Sequence, residues 1–261
     1  MQGEQNFWDH LDVLRAGLLR VAGVLLLGMV GFFIAMPTLF DAVILAPTRE
    51  DFILYRFIAA LTGHSSIFAA EPFAVELINI HVASQFTTHL STSFYAALLL
   101  TCPYLLYEIW RFIQPALYTE ERRGVRAAFI GGAGLFYVGV ATGYLIVFPL
   151  TFRFLAQYAL SDAIATQIAL QSYMNNFWGM TLTMGLAFEL PILIWLLAKL
   201  GLVTRETLRA GRRYVILLLL ILAAFITPSG DPFTLAVVFT PLYLLYEVGI
   251  LFAGRAKNNC R

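Results

Sequence analysis

Two adjacent carboxylates, Glu120 and Glu121, are followed at once by two guanidinium groups, Arg122 and Arg123. Tyr107, Trp110, Phe112 and Tyr118 stand just ahead of them. Nothing here pairs a nucleophile with a base, so the set points to binding rather than covalent chemistry. Carboxylates beside aromatic rings suit a basic peptide. A plainer reading also exists: acids in a first helical turn offset the helix dipole, and basic residues in a loop set membrane topology. A second candidate, Glu189, stands alone in an apolar run, ten residues before Lys199. That is roughly 15 Å along a helix, near the middle of a bilayer core. An ionisable group at that depth is costly and marks a functional site by default. The structural alternative is a protonated carboxyl bonded to a neighbouring helix.

The elements around the charged block follow from the same residues. A membrane helix over about 87–112 ends near Phe112. Pro115 has no backbone N–H and cannot continue it. Thr119 is the expected N-cap of the next helix, which puts Glu120 and Glu121 in its first turn. Pro191 follows Glu189 closely and leaves a carbonyl one turn earlier without its helical donor.

The chain has 261 residues, 60% hydrophobic and only 13% charged, against about 25% charged in a soluble domain. This is the composition of an integral membrane protein. A net charge of +1 gives no electrostatic support for nucleic-acid binding. Cys102 and Cys260 form no disulfide framework. No cleavable signal peptide, metal-ligand set or cofactor motif is expected, and no catalytic residue is assigned.

In chain order, residues 1–20 form an amphipathic helix on the membrane surface, with Phe7, Trp8, Leu11, Leu14 and Leu18 at three- and four-residue steps. Val21 to Phe40 is the first span. Residues 41–85 lie outside the membrane, with a short interfacial helix over about 51–61. In the second span His89 is an interfacial side chain rather than a metal ligand. The third runs from Ala127 to Phe152, with Pro149 at its outer end and Gly131, Gly132, Gly134, Gly139 and Gly143 for close packing. An outer loop follows over 153–174, then the fourth span over about 175–198. The last two apolar runs, Tyr214–Ile226 and Phe233–Tyr246, hold only thirteen and fourteen residues and make a short final hairpin.

The expected architecture is therefore an all-α integral membrane protein with six transmembrane helices. Three regions follow: a cytoplasmic amphipathic segment 1–20, a transmembrane domain 21–253 and a cytoplasmic tail 254–261. With the N-terminus inside, fourteen of the 17 Lys and Arg residues fall on the cytoplasmic side. Only Arg49, Arg56 and Arg153 fall outside, a strong positive-inside signal that also puts the C-terminus inside.

The order and spacing of several motifs resemble the TatC family, the multispanning subunit of the twin-arginine protein translocase. His10-Leu-Asp-Val-Leu-Arg15 resembles its amino-terminal His-Leu-x-Glu-Leu-Arg signature. Ala46-Pro47 resembles the Pro after the first span, and Tyr107 to Arg123 its first cytoplasmic loop. Phe148-Pro149-Leu150, Phe188-Glu189-Leu-Pro191, Arg212-Arg-Tyr214, Thr227-Pro228 with Asp231, and Pro241 to Glu247 resemble its later motifs. The resemblance implies a cupped, concave bundle in the cytoplasmic (inner) membrane of a bacterium, without enzymatic activity or cofactors. It implies recognition of twin-arginine signal peptides of folded cargo, and export driven by the proton-motive force with single-span TatA/TatB-type subunits. Self-association in a receptor complex is also implied. Phe112 and Glu121 match the loop positions that contact the two arginines, Glu189 the glutamate inside the concave face, Asp231 the acid of the last outer turn and Pro47 the proline of the first outer loop. Trp110, Glu120, Arg122 and Arg123 surround the loop positions.

The chain departs from that pattern in two places. Val13 stands where the signature carries its glutamate, and Gly17 where a basic residue is common. If an acid still meets the second arginine, Asp12, Asp9 or Glu108 must supply it, with Asp12 ranked first. The competing reading is a proton-coupled secondary transporter using Glu189. It lacks a second intramembrane acid or base to complete a relay.

Overall fold

The computed structural model describes residues 2–62, 75–113, 119–158, 161, 166–199, 201–227 and 230–258. Side chains are described for the same residues except 2–11, 61–62, 113, 119–125, 127–128 and 255–258. Pro115, Tyr118, Pro228 and Cys260 therefore lie outside the described residues. The chain divides into two compact units, Met1–Thr38 with Phe86–Gly134, and Leu39–Gln85 with Leu135–Arg261.

In the first unit the main elements are α1 (Gln2–Leu39), α3 (Ser84–Ile113) and the start of α4 (Thr119–Thr142). The expected separate surface helix over 1–20 is instead the first half of α1, with no break at residue 20. No proline precedes Pro37 in its 38 residues, and five scattered glycines do not stop a helix held by apolar packing. At 1.5 Å per residue α1 is about 57 Å long, well beyond a hydrocarbon core of about 30 Å. Leu26, Leu27, Val30 and Ile34 are exposed along it, as side chains facing lipid would be. Pro37 cannot donate to the carbonyl of Phe33 one turn back. His89 makes good that loss: its Nε2 lies 2.8 Å from the Phe33 carbonyl oxygen, and its ring stacks on Phe33 with centroids 3.9 Å apart. His89, expected as an interfacial side chain, thus has a defined contact on α1.

The second unit carries the remaining elements. After a π-helical turn at Phe40–Ile44 and a 3-10 turn at Ala46–Thr48 come α2 (Ile53–Thr62) and β1 (Leu77–Ile78). α4 passes through a second π-helical turn, Gly143–Val147, into α5 (Phe148–Gln157). Pro149 therefore does not end the third span. The widened turn just ahead of it, closed by the Phe148 N–H on the Gly143 carbonyl, absorbs a residue with no N–H to offer. β2 (Ile168–Ala169) pairs in parallel with β1. Two residues per strand give no periodicity to read, so this ladder is invisible in the sequence.

Next come α6 (Leu170–Ala187), α7 (Leu190–Lys199), α8 (Arg205–Ala210), α9 (Arg212–Ile226) and α10 (Pro232–Asn258). An aromatic cluster holds α5 to α6: Phe148 meets Tyr173 and Phe177 edge-on at 5.3 and 5.1 Å, contacts worth about 0.5–1.5 kcal/mol each beyond burial. The Tyr173 and Tyr144 hydroxyls donate to the carbonyls of Ile44 and Val43, which stand where the long helix runs out of its own donors.

Among the described residues, five helical stretches are long and apolar enough to cross a membrane: Asp12–Ala60, Ser84–Phe112, Phe129–Gln157, Leu170–Lys199 and Pro232–Gly254. α9, at 15 residues, is about 22 Å long and is the short arm of the final hairpin. The other arm is not short: α10 runs for 27 residues. The apolar run was expected to stop at Tyr246, but the helix continues through Glu247, whose Oε2 accepts from Arg212 Nη2 at 2.7 Å and whose Oε1 accepts from the Tyr243 hydroxyl at 3.0 Å. A carboxylate so paired does not terminate a helix.

Candidate functional site

The sequence-derived site residues fall in three places. The first is a groove between α1 and α3, about 160 Å³ in volume, lined by Val13, Leu14, Gly17, Leu18, Glu108 and Phe112 among others. Phe112 sits at the last full turn of α3, where the stretch beginning at Tyr107 was expected to end a helix. Glu108 is one turn before it on the same face and only 9% exposed. Its Oε1 accepts from Arg20 Nη1 at 2.7 Å and from the Tyr104 hydroxyl at 2.8 Å. Its Oε2 faces Gly17, where an added Cβ would lie 3.3 Å away. The groove thus has mainly apolar walls, one carboxylate, and one guanidinium, that of Arg111, which is exposed. Methylene stems and a cationic head would both be accommodated.

Asp12 is exposed and does not line the groove. Trp110, 6% exposed, turns the other way and packs on Phe129 at 5.7 Å, so it braces α3 against α4. Glu120, Glu121, Arg122 and Arg123 lie at the start of α4, as expected, but their side chains are outside the described ones. Glu108 is the residue that spacing underrated. Its i−4 partner Tyr104 was visible on the helix face, but Arg20, 88 residues away, was not.

The second place is the break between α6 and α7. Pro191 cannot donate to Ala187, and the ladder tightens there. The Glu189 N–H reaches only as far back as Leu186 at 3.1 Å, while the Glu189 carbonyl accepts from both Ile192 and Leu193 at 3.1 and 3.0 Å. The Glu189 side chain is half-buried, and its Oε1 is buried without a hydrogen-bond partner among the described residues. Glycines on the neighbouring helix permit this approach. A Cβ at Gly139 would stand 2.5 Å from the Met184 carbonyl oxygen, and one at Gly143 2.9 Å from Thr181 Cα. Gly131 and Gly134 meet nothing within 4 Å, so only part of the glycine run packs.

The third place holds the outer-loop residues Pro47 and Asp231. Pro47 is buried in the 3-10 turn. Its carbonyl and that of Pro149 both lie within reach of the Tyr55 hydroxyl, at 3.1 and 3.2 Å, and the Arg153 guanidinium covers the Tyr55 ring at 4.6 Å. Asp231 caps α10: its Oδ1 accepts from the Thr234 N–H at 2.8 Å and its Oδ2 from the Thr234 hydroxyl at 2.6 Å. No group of metal-ligating side chains occurs among the described residues.

Residues 9–241 match the family described as Sec-independent protein translocase protein (TatC). The chain belongs to the TatC family. It is 33% identical to the Sec-independent protein translocase protein TatC of Blattabacterium over 259 residues, 96% of each chain. Against the Deinococcus radiodurans TatC it is 35% identical, covering 94% of this chain and 84% of that one. Against the Escherichia coli K12 TatC it is 36% identical over 192 residues, 72% and 73% of the two chains. A crystal structure of the twin-arginine translocase receptor TatC superposes with a TM-score of 0.72 at 29% identity, covering 95% of this chain and 99% of that one. The same receptor crystallised in the detergent DDM gives 0.74 at 28% identity, covering 93% and 98%. The family likeness spans all three places described above.

Proposed function

We propose that this chain is the membrane receptor of a twin-arginine translocase. It recognises signal peptides bearing two adjacent arginines and organises export of folded proteins. Membership of the TatC family, whose crystallised member is named the translocase receptor, carries this reading. The groove beside Phe112 supports it physically, because apolar walls with a carboxylate fit an arginine side chain. In this reading Glu121 and Phe112 hold the peptide's first arginine by ion pairing and stacking. Glu120, Arg122 and Arg123 shape the charge around them, Asp12 lies near the approach on α1, and Trp110 positions α3.

The chain crosses the cytoplasmic membrane of a bacterium six times, with α9 as the shortest span and both termini inside. Residues 1–20 project on the cytoplasmic side as the extension of α1, 21–253 form the transmembrane domain and 254–261 the cytoplasmic tail. Single-span TatA/TatB-type subunits assemble on the bundle, copies of the chain self-associate in the receptor complex, and the proton-motive force drives transport. Glu189 acts after docking, as an unpartnered acceptor in the break between α6 and α7. Pro47 and Asp231 order the outer side.

The test is site-specific photo-crosslinking from position 112 to a twin-arginine signal peptide, with a twin-lysine peptide as control. Arginine-dependent crosslinks are expected. Equal labelling by both peptides in folded, inserted protein would remove the receptor reading. Small-solute counterflow dependent on Glu189 would then favour the transporter alternative.

A further inference from the structure

Val13, where the family signature has its glutamate, and Glu108 line the same groove from opposite helices. The acid missing from α1 has a counterpart on α3. We infer that Glu108 is the carboxylate that receives the peptide's second arginine, and that Arg20 is a resting placeholder on it which the peptide displaces. This rests on the receptor reading above.

The geometry of the resting pair supports exchange. Arg20 reaches Glu108 through one nitrogen, Nη1, on one oxygen, Oε1. It does not use the two-point pairing that a guanidinium can make. Its side chain is 40% exposed while that of Glu108 is 9% exposed. Arg20 can therefore swing into water at little cost, since such half-exposed pairs are weak. Glu108 cannot follow, and a buried carboxylate must keep a cationic partner. The Tyr104 hydroxyl also donates to Oε1, so Oε2 has no donor among the described residues. It faces Gly17, and the lack of a side chain there keeps that oxygen approachable. An arginine entering along Val13, Leu14 and Phe112 would lay its methylenes on apolar walls and bring its head to both carboxylate oxygens. With Gly at position 17, the cation on this carboxylate is that of Arg20, one turn away. Asp12, exposed and outside the groove, offers no such enclosure.

The experiment measures binding of a fluorescent signal peptide to the full-length chain, using an Arg-Arg peptide and forms with the first or the second arginine changed to lysine. Glu108→Gln keeps an acceptor for Tyr104 and is expected to weaken Arg-Arg binding about tenfold, with less than a twofold effect on the peptide whose second arginine is already lysine. Arg20→Ala is expected to tighten Arg-Arg binding severalfold, and Asp12→Ala to change it less than twofold. Unchanged affinity in Glu108→Gln, or a loss in Arg20→Ala equal to that in Glu108→Gln, would overturn the inference. Should Glu108→Gln not fold, Arg20→Ala decides: tighter binding supports the placeholder, and unchanged or weaker binding rejects it. Failure of the receptor reading looks different, because the unmodified chain would then bind Arg-Arg and Lys-Lys peptides alike.

Discussion

The groove of the first unit and the helix break of the second each present a glutamate, and the two are held in opposite ways. Glu108 has a guanidinium and a phenol on one oxygen. Glu189 has an Oε1 buried with no hydrogen-bond partner among the described residues. A paired carboxylate at the wall of an open groove is suited to exchanging one cation for another. An unsatisfied acceptor in a helix break, by contrast, is a standing cost of about 1–3 kcal/mol, which a later ligand or helix could relieve. The contrast underlies the proposal that binding and the step after it are separable, with a different carboxylate serving each.

The largest expected effect tests that separation. Glu121→Ala should weaken twin-arginine docking by about 2–5 kcal/mol, the usual loss when one partner of a close charge pair is truncated, with thermal unfolding unchanged. Glu189→Ala should leave docking within a factor of about two while reducing transport of a folded cargo into membrane vesicles. Docking lost in a well-folded Glu189→Ala protein would collapse the two regions into one site.

A second test concerns the scaffold. Gly139→Ala puts a methyl 2.5 Å from the Met184 carbonyl oxygen and 2.8 Å from Phe188 Cβ, against backbone that cannot yield. It should destabilise the fold by about 1–3 kcal/mol, read as a lower melting temperature in detergent. Gly131→Ala meets nothing within 4 Å and should change stability by less than about 0.5 kcal/mol. Equal effects would mean that the break region is no more tightly built than the rest.

These glycines also show what could be read before the fold was known. The run from Gly131 to Gly143 signalled close packing, but sequence alone does not say which glycine faces a neighbour. Pro191 marked the break beside Glu189 because a missing N–H acts locally. Pro149 misled for the same reason: the π-helical turn Gly143–Val147 just ahead of it compensates for it. Glu247 misled because its partner, Arg212, lies 35 residues away. The groove was half legible. Phe112 and the acids at the start of α4 stood out by spacing, whereas the Arg20–Glu108 pair requires two helices to be brought together.

Asp231 sharpens the comparison at its smallest scale, since it resembles a functional acid and also has a plain structural task. Its side chain accepts the Thr234 N–H, the bond expected of an N-cap, and losing such a cap costs about 1 kcal/mol. Asp231→Ala should lower unfolding stability by about that much, while Asp231→Asn, which keeps the acceptor oxygen, should lower it by only a few tenths. The charge itself is then tested separately from the cap. If Asp231→Asn keeps both stability and transport, the residue serves α10 alone, and its place among the family's motifs reflects folding. If it keeps stability but transport falls, the negative charge acts on a partner at the outer side. Asp231 would then join Glu189, rather than Glu108, as a carboxylate used after docking.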